Sequence, residues 1–167
     1  AYSSTSAVYI YDLHTCTIKK LISAHDGFIS GVSWPPSFSS LLVTCSVDSS
    51  ISVWDVIKEK RVYNLVDKER DIGGIRCIDC AHGSPLQIIF GISNRVYEWI
   101  PSQRKRRQII KGGGSNITVV QWNPTLRRGD LVAIGRSDGR VDIVAQNEKG
   151  IWKETIASLD MFLLVRF

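Results

Sequence analysis

The chain has 167 residues, of which 44% are hydrophobic and 22% are charged, and its net charge is +5. These proportions are ordinary for a soluble globular protein. They exclude a helical membrane protein, because no apolar run approaches the roughly 18–20 residues of a membrane span.

The chain begins without a Met or a secretory signal pattern, so we expect a segment of a longer protein located inside the cell, in the cytoplasm. In that setting the four cysteines, Cys16, Cys45, Cys77 and Cys80, are expected to be reduced thiols. Cys77 and Cys80 form a CxxC pair, but no second ligand pair follows, and residues three apart in a strand face opposite sides. The sequence therefore predicts core packing for this pair and no metal site.

Short segments rich in β-branched and aromatic residues recur along the chain, bounded by Gly, Pro, Ser or Asp, which is typical of antiparallel strands. The expected strands are 6–13, 17–23, 28–34, 41–46, 51–56, 61–67, 75–80, 87–93, 95–100, 108–111, 117–122, 131–135, 140–144 and 151–158. Segment 6–13 is expected to be the third strand of a unit whose first two strands are missing or nearly so. Segment 161–165 is expected to be an apolar tail or the start of a further unit.

These strands repeat with a nearly constant period. Equivalent positions are Tyr11, Trp54, Tyr97 and Val144, separated by 43, 43 and 47 residues. The period predicts consecutive four-stranded units. It divides the chain into a partial unit at 1–23, a well-matched unit at 24–67, two degenerate units at 68–111 and 112–158, and a remainder at 159–167.

The best-matched unit carries three short motifs: Ala24-His25 before its first strand, Ser46-Val47-Asp48 at the end of its second, and Trp54-Asp55 in its third. With these motifs the chain resembles the WD-repeat family of β-propellers. The resemblance implies an all-β fold, an incomplete WD-type propeller of about three to four antiparallel four-stranded blades. The order of the units also resembles the N-terminal blades of large WD-repeat scaffolds.

The resemblance further implies a buried structural tetrad of His25, Ser46, Asp48 and Trp54. In it, Trp54 would donate to Ser46, Ser46 to His25, and His25 to Asp48, so that no buried polar group stays unpaired. Ser, His and Asp also form hydrolase triads, but here all three lie within one meander without a nucleophile elbow. We therefore interpret the set as structural and expect no catalytic residues.

A run of four basic residues, Arg104, Lys105, Arg106 and Arg107, is predicted to lie on an exposed hairpin. It lies in the basic C-terminal half, where residues 81–167 carry a net charge of +6 against −1 for residues 1–80. Two interpretations stay open, a solvated turn and a site for an anionic partner such as nucleic acid or an acidic surface.

Two further motifs are interpreted as loops. Residues 126–129 resemble a basic motif of phosphoinositide-binding propellers, but they lie in the turn between a first and a second strand, where the family does not place it. The glycines at 112–114 lack the Lys-Ser/Thr ending and the following helix of a phosphate-binding loop.

The resemblance implies a non-enzymatic scaffold that binds other proteins, without cofactor or metal. Its binding face would comprise the loops at 24–28, 71–74 and 111–116 and the turns near Asp48, Asn94 and Asp138. The alternative is binding of nucleic acid or an acidic surface through the basic half. Propellers close with roughly 4–8 blades, so we expect part of a larger propeller, or two copies that close one ring. The open blade edges are expected to allow self-association.

Overall fold

The structure is a computed structural model that describes residues 2–21, 25–67, 73–110, 114–124, 131–147, 150–153 and 157–160. Within those residues, no helix has the length and apolar character needed to cross a bilayer. The only helical element among them is one 3-10 turn, Pro101–Gln103. The strands are β1 (Tyr2–Ser4), β2 (Ala7–Asp12), β3 (Thr17–Leu21), β4 (Ile29–Ser33), β5 (Leu41–Ser46), β6 (Ser50–Asp55), β7 (Lys60–Val66), β8 (Ile75–Cys80), β9 (Ile88–Ile92), β10 (Arg95–Ile100), β11 (Lys105–Ile110), β12 (Ile117–Trp122), β13 (Leu131–Arg136), β14 (Arg140–Ala145) and β15 (Ala157–Asp160).

The strands form four separate antiparallel sheets, each in simple chain order. Sheet 1 contains β1–β3, sheet 2 contains β4–β7, sheet 3 contains β8–β11 and sheet 4 contains β12–β15. Each sheet is thus an up-and-down meander of sequential hairpins, which local chain connectivity favours. The expected all-β architecture of repeated antiparallel sheets is confirmed.

The turns between the second and third strands of the four-stranded sheets follow a common pattern. In sheet 2, Asp48 accepts a hydrogen bond from the main-chain N–H of Ser50, and in sheet 4 Asp138 accepts one from that of Arg140. These Asx turns add to the main-chain hydrogen bonds that close the two hairpins, from the Ser49 N–H to the Ser46 carbonyl and from the Gly139 N–H to the Arg136 carbonyl. The residues with positive φ in the equivalent turns of sheets 1 to 4 are Thr5, Ser49, Ser93 and Gly139.

The middle strands of the sheets have apolar side chains on both faces. Each face therefore packs against a neighbouring sheet, and the sheets stack face to face. One face of sheet 2 contributes Leu42 and Trp54 to a core shared with Val8 of sheet 1. The core between sheets 2 and 3 includes Val43, Val53, Ile88, Phe90 and Trp99. The core between sheets 3 and 4 includes Ile89, Val96, Val120, Val132 and Val144.

Among the described residues, apolar side chains are exposed on the outer faces of sheets 1 and 4. Tyr11 pairs with Ile18 across β2 and β3, and both side chains are exposed on the side away from sheet 2. Val119 is similarly exposed in sheet 4. The sequence predicts self-association through the open blade edges, which stays a prediction.

The first unit, whose first two strands the sequence predicts to be missing or nearly so, has one short strand, β1, before β2. Two strand expectations are corrected. The basic run does not form a hairpin tip: Arg104 alone lies in the turn, with a φ of 51°, and β11 begins at Lys105. The last strand of sheet 4 is β15 and not 151–158, since Trp152 instead forms an isolated bridge with Gln146.

Several sequence interpretations fall outside the described residues. They are the basic motif at 126–129, the glycines 112 and 113, the apolar tail at 161–167, and parts of the expected binding loops at 24, 71–72 and 111–113.

Candidate functional site

A chain of hydrogen bonds links Trp54 to Asp48 through three side chains of sheet 2 and the segment before it. Trp54 Nε1 donates to Thr44 Oγ1 at 3.2 Å, and His25 Nε2 lies 2.7 Å from the same oxygen. His25 Nδ1 lies 2.7 Å from Ser50 Oγ, and the Ser50 hydroxyl donates to Asp48 Oδ1 at 2.6 Å. Since Ser50 gives its proton to the carboxylate, it accepts from His25 Nδ1–H, and Thr44 donates to Nε2.

The strand register explains why Thr44 occupies this position. Leu42 pairs with Trp54 and Thr44 pairs with Ser52, so these side chains share the face toward sheet 1. Thr44 is therefore the diagonal neighbour of Trp54, within reach of an indole N–H.

The expected role of Ser46 is wrong. Ser46 lies on the same face but two positions farther along β5 than Thr44, beyond the reach of Trp54. Its hydroxyl oxygen instead accepts a hydrogen bond of 3.1 Å from the main-chain N–H of Asp48, inside the turn. Two hydroxyl residues missed from the sequence, Thr44 and Ser50, complete the chain that His25, Asp48 and Trp54 begin.

The ionisation of the two titratable groups follows from their surroundings. Burial lowers the pKa of His25 from its usual value of 6.5, and the nearby Asp48 only partly opposes this effect. Burial alone would raise the pKa of Asp48, but hydrogen bonds from Ser50 and the main chain of Asp26 hold it below 3.8. The contact of 3.5 Å between His25 Nδ1 and Asp48 Oδ2 therefore joins a neutral ring to a carboxylate.

This network fixes one end of sheet 2. Asp48 Oδ2 accepts the main-chain N–H of Asp26 at 2.8 Å, which ties the segment before β4 to the turn after β5. All the side-chain groups in the network bond one another or the main chain, and His25 and Thr44 are buried. The arrangement is suited to positioning loops and leaves no free nucleophile–base pair.

At the same end of the sheets lies a cavity of about 390 Å³ that spans sheets 2, 3 and 4. Some lining residues belong to the predicted binding face: Asn116 lies in the loop at 111–116, and Val47 is next to Asp48. Ser30, Arg76 and Thr118 were not predicted, because they lie at irregularities in the first strands of their sheets and such bulges have no clear sequence signal. The lining includes Ser30, Val47, Arg76, Asn116, Thr118 and Ser137.

Comparison with known proteins identifies the repeat. Residues 15–55 match the family model for the WD domain, G-beta repeat. The β-propeller domain of Cps50 (Swd1) from Myceliophteria thermophila has a similar structure, with a TM-score of 0.72 over 92% of this chain at 16% identity. The chain thus carries a WD repeat at residues 15–55 and has the fold of part of a β-propeller. The predicted family and fold are thereby confirmed.

This WD-repeat chain is also 25% identical over 127 residues to WD repeat-containing protein AAC3 of Dictyostelium discoideum. The alignment covers 72% of the chain but only 24% of AAC3. The chain likewise covers 49% of the Cps50 structure. It therefore spans about a quarter of the curated relative and about half of the solved propeller chain.

Two members of the basic run are engaged within the WD-repeat fold. The Arg106 guanidinium lies 4.3 Å from the ring centroid of Tyr97 and donates to Asp67 Oδ2 at 2.7 Å. Arg107 donates to Glu98 and to the main-chain carbonyl of Gly150. Because β10 and β11 are paired, alternate residues of the run reach the two faces of sheet 3.

The Glu98–Arg107 pair connects sheet 3 to the hairpin that follows β14. The Glu98 side chain is fully buried, whereas 27% of the Arg107 side chain is exposed. Glu98 Oε1 has no hydrogen-bond partner among the described residues. A carboxylate in this position depends on Arg107 for its charge compensation.

The three buried cysteines are packing residues. Cys77 lies in the core between sheets 3 and 4, and Cys80 lies in the core between sheets 2 and 3. Burial raises the pKa of Cys77 to about 11 and that of Cys45 and Cys80 to about 12, which disfavours reactive thiolates. In the described part of the chain, no group of three or more His, Cys, Asp or Glu residues could hold a metal ion.

Proposed function

We propose that this chain is a non-enzymatic scaffold that binds other proteins as part of a WD-repeat propeller. The observation that carries the proposal is the convergence of segments from three sheets around one cavity, next to the end of sheet 2 that the His25 network stabilises. A rigid scaffold that presents several loops together favours binding of a partner at multiple points.

Exposed apolar residues support the choice of this end as the binding face. Phe28 is 66% exposed, and its main-chain carbonyl accepts a hydrogen bond of 3.0 Å from the N–H of Val47, which is also exposed. Aromatic and aliphatic groups surrounded by polar residues are typical anchors of protein interfaces. We call the surface formed by Phe28, Val47 and the cavity lining the turn face.

The His25 network supports a structural function over a catalytic one. A hydrolytic site would need a hydroxyl nucleophile that remains open to substrate, whereas Thr44 and Ser50 each bond two partners within the fold. The proposed role of His25, Asp48 and Trp54, with Thr44, is to hold the turn face in one conformation.

The alternative of nucleic-acid binding through the basic run has weaker support. Arg106 and Arg107 already bind Asp67 and Glu98, so that only Arg104 and Lys105 project freely from this region. Two cations offer few phosphate contacts, and nucleic-acid affinity rises with the number of such contacts.

The test compares the proteins that the immobilised chain captures from cells with those captured by two variants. Phe28→Ser alters the turn face, and Ile57→Ser removes a side chain of similar exposure, 77%, at the opposite end of sheet 2. Partners should be retained by the wild-type chain and by Ile57→Ser but reduced by Phe28→Ser. Equal capture by both variants, or no specific capture by the wild-type chain, would contradict the proposal.

A further inference from the structure

The first strand of each four-stranded sheet contains the same irregularity. In β4 the pairing with β5 shifts between Ile29 and Gly31, in β8 the shift lies between Ile75 and Cys77, and in β12 it lies between Ile117 and Val119. The residue inside each shift is therefore extra in its strand, and a bulge of this kind redirects the side chain. These three residues are Ser30, Arg76 and Thr118.

All three bulge residues line the cavity of the turn face, although they lie 46 and 42 residues apart in sequence. The Ser30 hydroxyl donates to the Ile75 carbonyl, and that of Thr118 donates to the Gly135 carbonyl at 3.1 Å. The hydroxyl groups of Ser30 and Thr118 therefore already donate their hydrogen bonds within the fold. Arg76 is the residue of the three that retains donors for a ligand.

Arg76 is the charged residue of the cavity lining. Arg76 is exposed, and no ion pair joins it to a carboxylate among the described residues. The guanidinium offers five N–H donors in a planar fork that matches a carboxylate. Asn116 adds side-chain N–H donors, because its oxygen already accepts from Ser93 Oγ at 3.3 Å. The cavity is thus rich in donors and suited to one anionic group.

The charges around the cavity favour a single carboxylate over a polyanion. Asp48 directly follows Val47 in the turn of sheet 2, and Asp138 directly follows Ser137 in the turn of sheet 4. Both lining residues are therefore next to a negative charge, and these charges repel a phosphate backbone, which carries one charge per nucleotide, more than they repel a single carboxylate. The volume of about 390 Å³ is near the lower end for ligand sites and admits a side chain, not a folded element.

We infer that the turn face binds a segment of a partner protein through an Asp or Glu side chain that enters the cavity and pairs with Arg76. An apolar residue next to that acidic residue packs on Val47 and Phe28. This inference rests on the proposed scaffold function and adds to it the chemistry of the recognised segment.

The experiment selects peptides from a random 12-residue phage-displayed library on the purified 167-residue chain. The same selection is made on Arg76→Gln, Arg76→Glu and a matched control, Arg104→Glu, in which the changed residue is exposed at the opposite end of sheet 3. Circular dichroism verifies that each variant is folded. The wild-type chain and the control should enrich peptides with an acidic residue at one position beside an apolar residue, and both Arg76 variants should lose this preference.

A synthetic peptide from the selection then measures the pairing directly. Arg76→Gln should weaken binding by about tenfold or more, the usual effect of losing a charged hydrogen bond. Replacing the peptide's acidic residue by its amide should weaken binding to the wild-type chain to a similar extent. The amide peptide should then bind Arg76→Gln no more weakly than it binds the wild-type chain, because the two changes remove one interaction.

The remaining outcomes separate this inference from the scaffold function. Enriched peptides without an acidic position, or equal binding to Arg76→Gln, would overturn the Arg76 pairing and leave the scaffold function in place. Failure to enrich any peptide, together with partner capture that Phe28→Ser does not reduce, would overturn both. A labelled 20-nucleotide single-stranded DNA that binds the wild-type chain and Arg104→Glu but not Arg76→Glu would assign the cavity to phosphate instead.

Discussion

Trp54 Nε1 donates to Thr44 Oγ1 at 3.2 Å, and the same oxygen lies 2.7 Å from His25 Nε2. One hydroxyl therefore satisfies two buried groups that belong to different parts of the repeat. Without it, both the indole N–H and the imidazole nitrogen would be buried without a partner, which costs more than the loss of an ordinary hydrogen bond.

Thr44 should accordingly contribute more to stability than Ser46. Thr44→Val preserves shape but leaves two groups unsatisfied, so the free energy of unfolding should fall by about 1–3 kcal/mol. Ser46→Ala removes one hydrogen bond in a turn and should cost about 0.5–1.5 kcal/mol. Urea denaturation followed by Trp fluorescence measures both. A larger loss for Ser46→Ala would show that the network runs through Ser46 after all.

The lowered pKa of His25 predicts that stability declines in mild acid. As the pH falls, the unfolded chain takes up the His25 proton near the usual pKa of 6.5, whereas the folded chain takes it up only at a lower pH. The stability contributed by neutral His25 is thus fully present above pH 6.5 and is lost as the pH falls below it.

The measurement is the urea midpoint at several values between about pH 5 and pH 8, the range in which an unperturbed histidine titrates. His25→Gln should flatten the pH dependence, whatever its effect on absolute stability. His14→Gln, which changes an exposed histidine in a turn of sheet 1, should keep the wild-type slope. If His25→Gln retains the full slope, His25 is not the group responsible.

The close approach of Gly74 to Val47 predicts a strict requirement for glycine. Gly74 has a φ of 75°, and a Cβ added there would lie 2.6 Å from the Val47 Cα and carbonyl oxygen. The neighbouring Gly73 has a φ of 82° but open space around it. The two positions therefore share the backbone strain of a left-handed non-glycine residue and differ in the steric clash.

Gly73→Ala should lower the free energy of unfolding by about 1 kcal/mol, and Gly74→Ala by about 2–4 kcal/mol, since main-chain atoms of Val47 cannot yield as a side chain would. Gly74→Ala should also weaken partner binding at the turn face, because Val47 is part of that surface. Equal losses of stability for the two variants would mean that the loop moves away from Val47 at little cost.

The sequence identified the features that depend on local pattern. Strand alternation and the 43-residue spacing of Tyr11, Trp54 and Tyr97 predicted the repeated antiparallel sheets. The choice between Thr44 and Ser46 depended on the register between β5 and β6, because both hydroxyls lie on the same strand face. A sequence motif does not give the strand register, so it could not distinguish Thr44 from Ser46.

The bulge residues of the cavity and the partners of the basic run could not be predicted from the sequence, for a related reason. Ser30, Arg76 and Thr118 line one cavity because each lies in a bulge. A bulge redirects a side chain but does not change the alternation of apolar and polar residues in a recognisable way. From the sequence alone, Arg106 and Arg107 have the pattern of a solvated charge run. Their partners, Tyr97 and Glu98, become known only from the pairing of β10 with β11. The positions of these side chains depend on contacts between strands and between sheets, which the sequence alone does not give.

The buried carboxylate of Glu98 predicts that members of the basic run differ sharply in their importance. Arg107→Met would leave Glu98 buried without a countercharge, and the free energy of unfolding should fall by about 3 kcal/mol. This is the lower end of the range for a buried pair, because 27% of the Arg107 side chain is exposed. Lys105→Met, at an exposed position of the same strand, should change stability by less than about 0.5 kcal/mol.

The double variant Glu98→Leu/Arg107→Met tests whether Arg107→Met loses stability because the buried Glu98 carboxylate has no countercharge. Replacing both members of a buried pair by apolar residues is often neutral or stabilising, so the double variant should recover most of the stability that Arg107→Met loses. Chemical denaturation of the wild-type chain, Glu98→Leu, Arg107→Met and the double variant completes a double-mutant cycle. A double variant as unstable as Arg107→Met would instead assign the role of Arg107 to its other bond, the one to the Gly150 carbonyl that holds the hairpin after β14 against sheet 3.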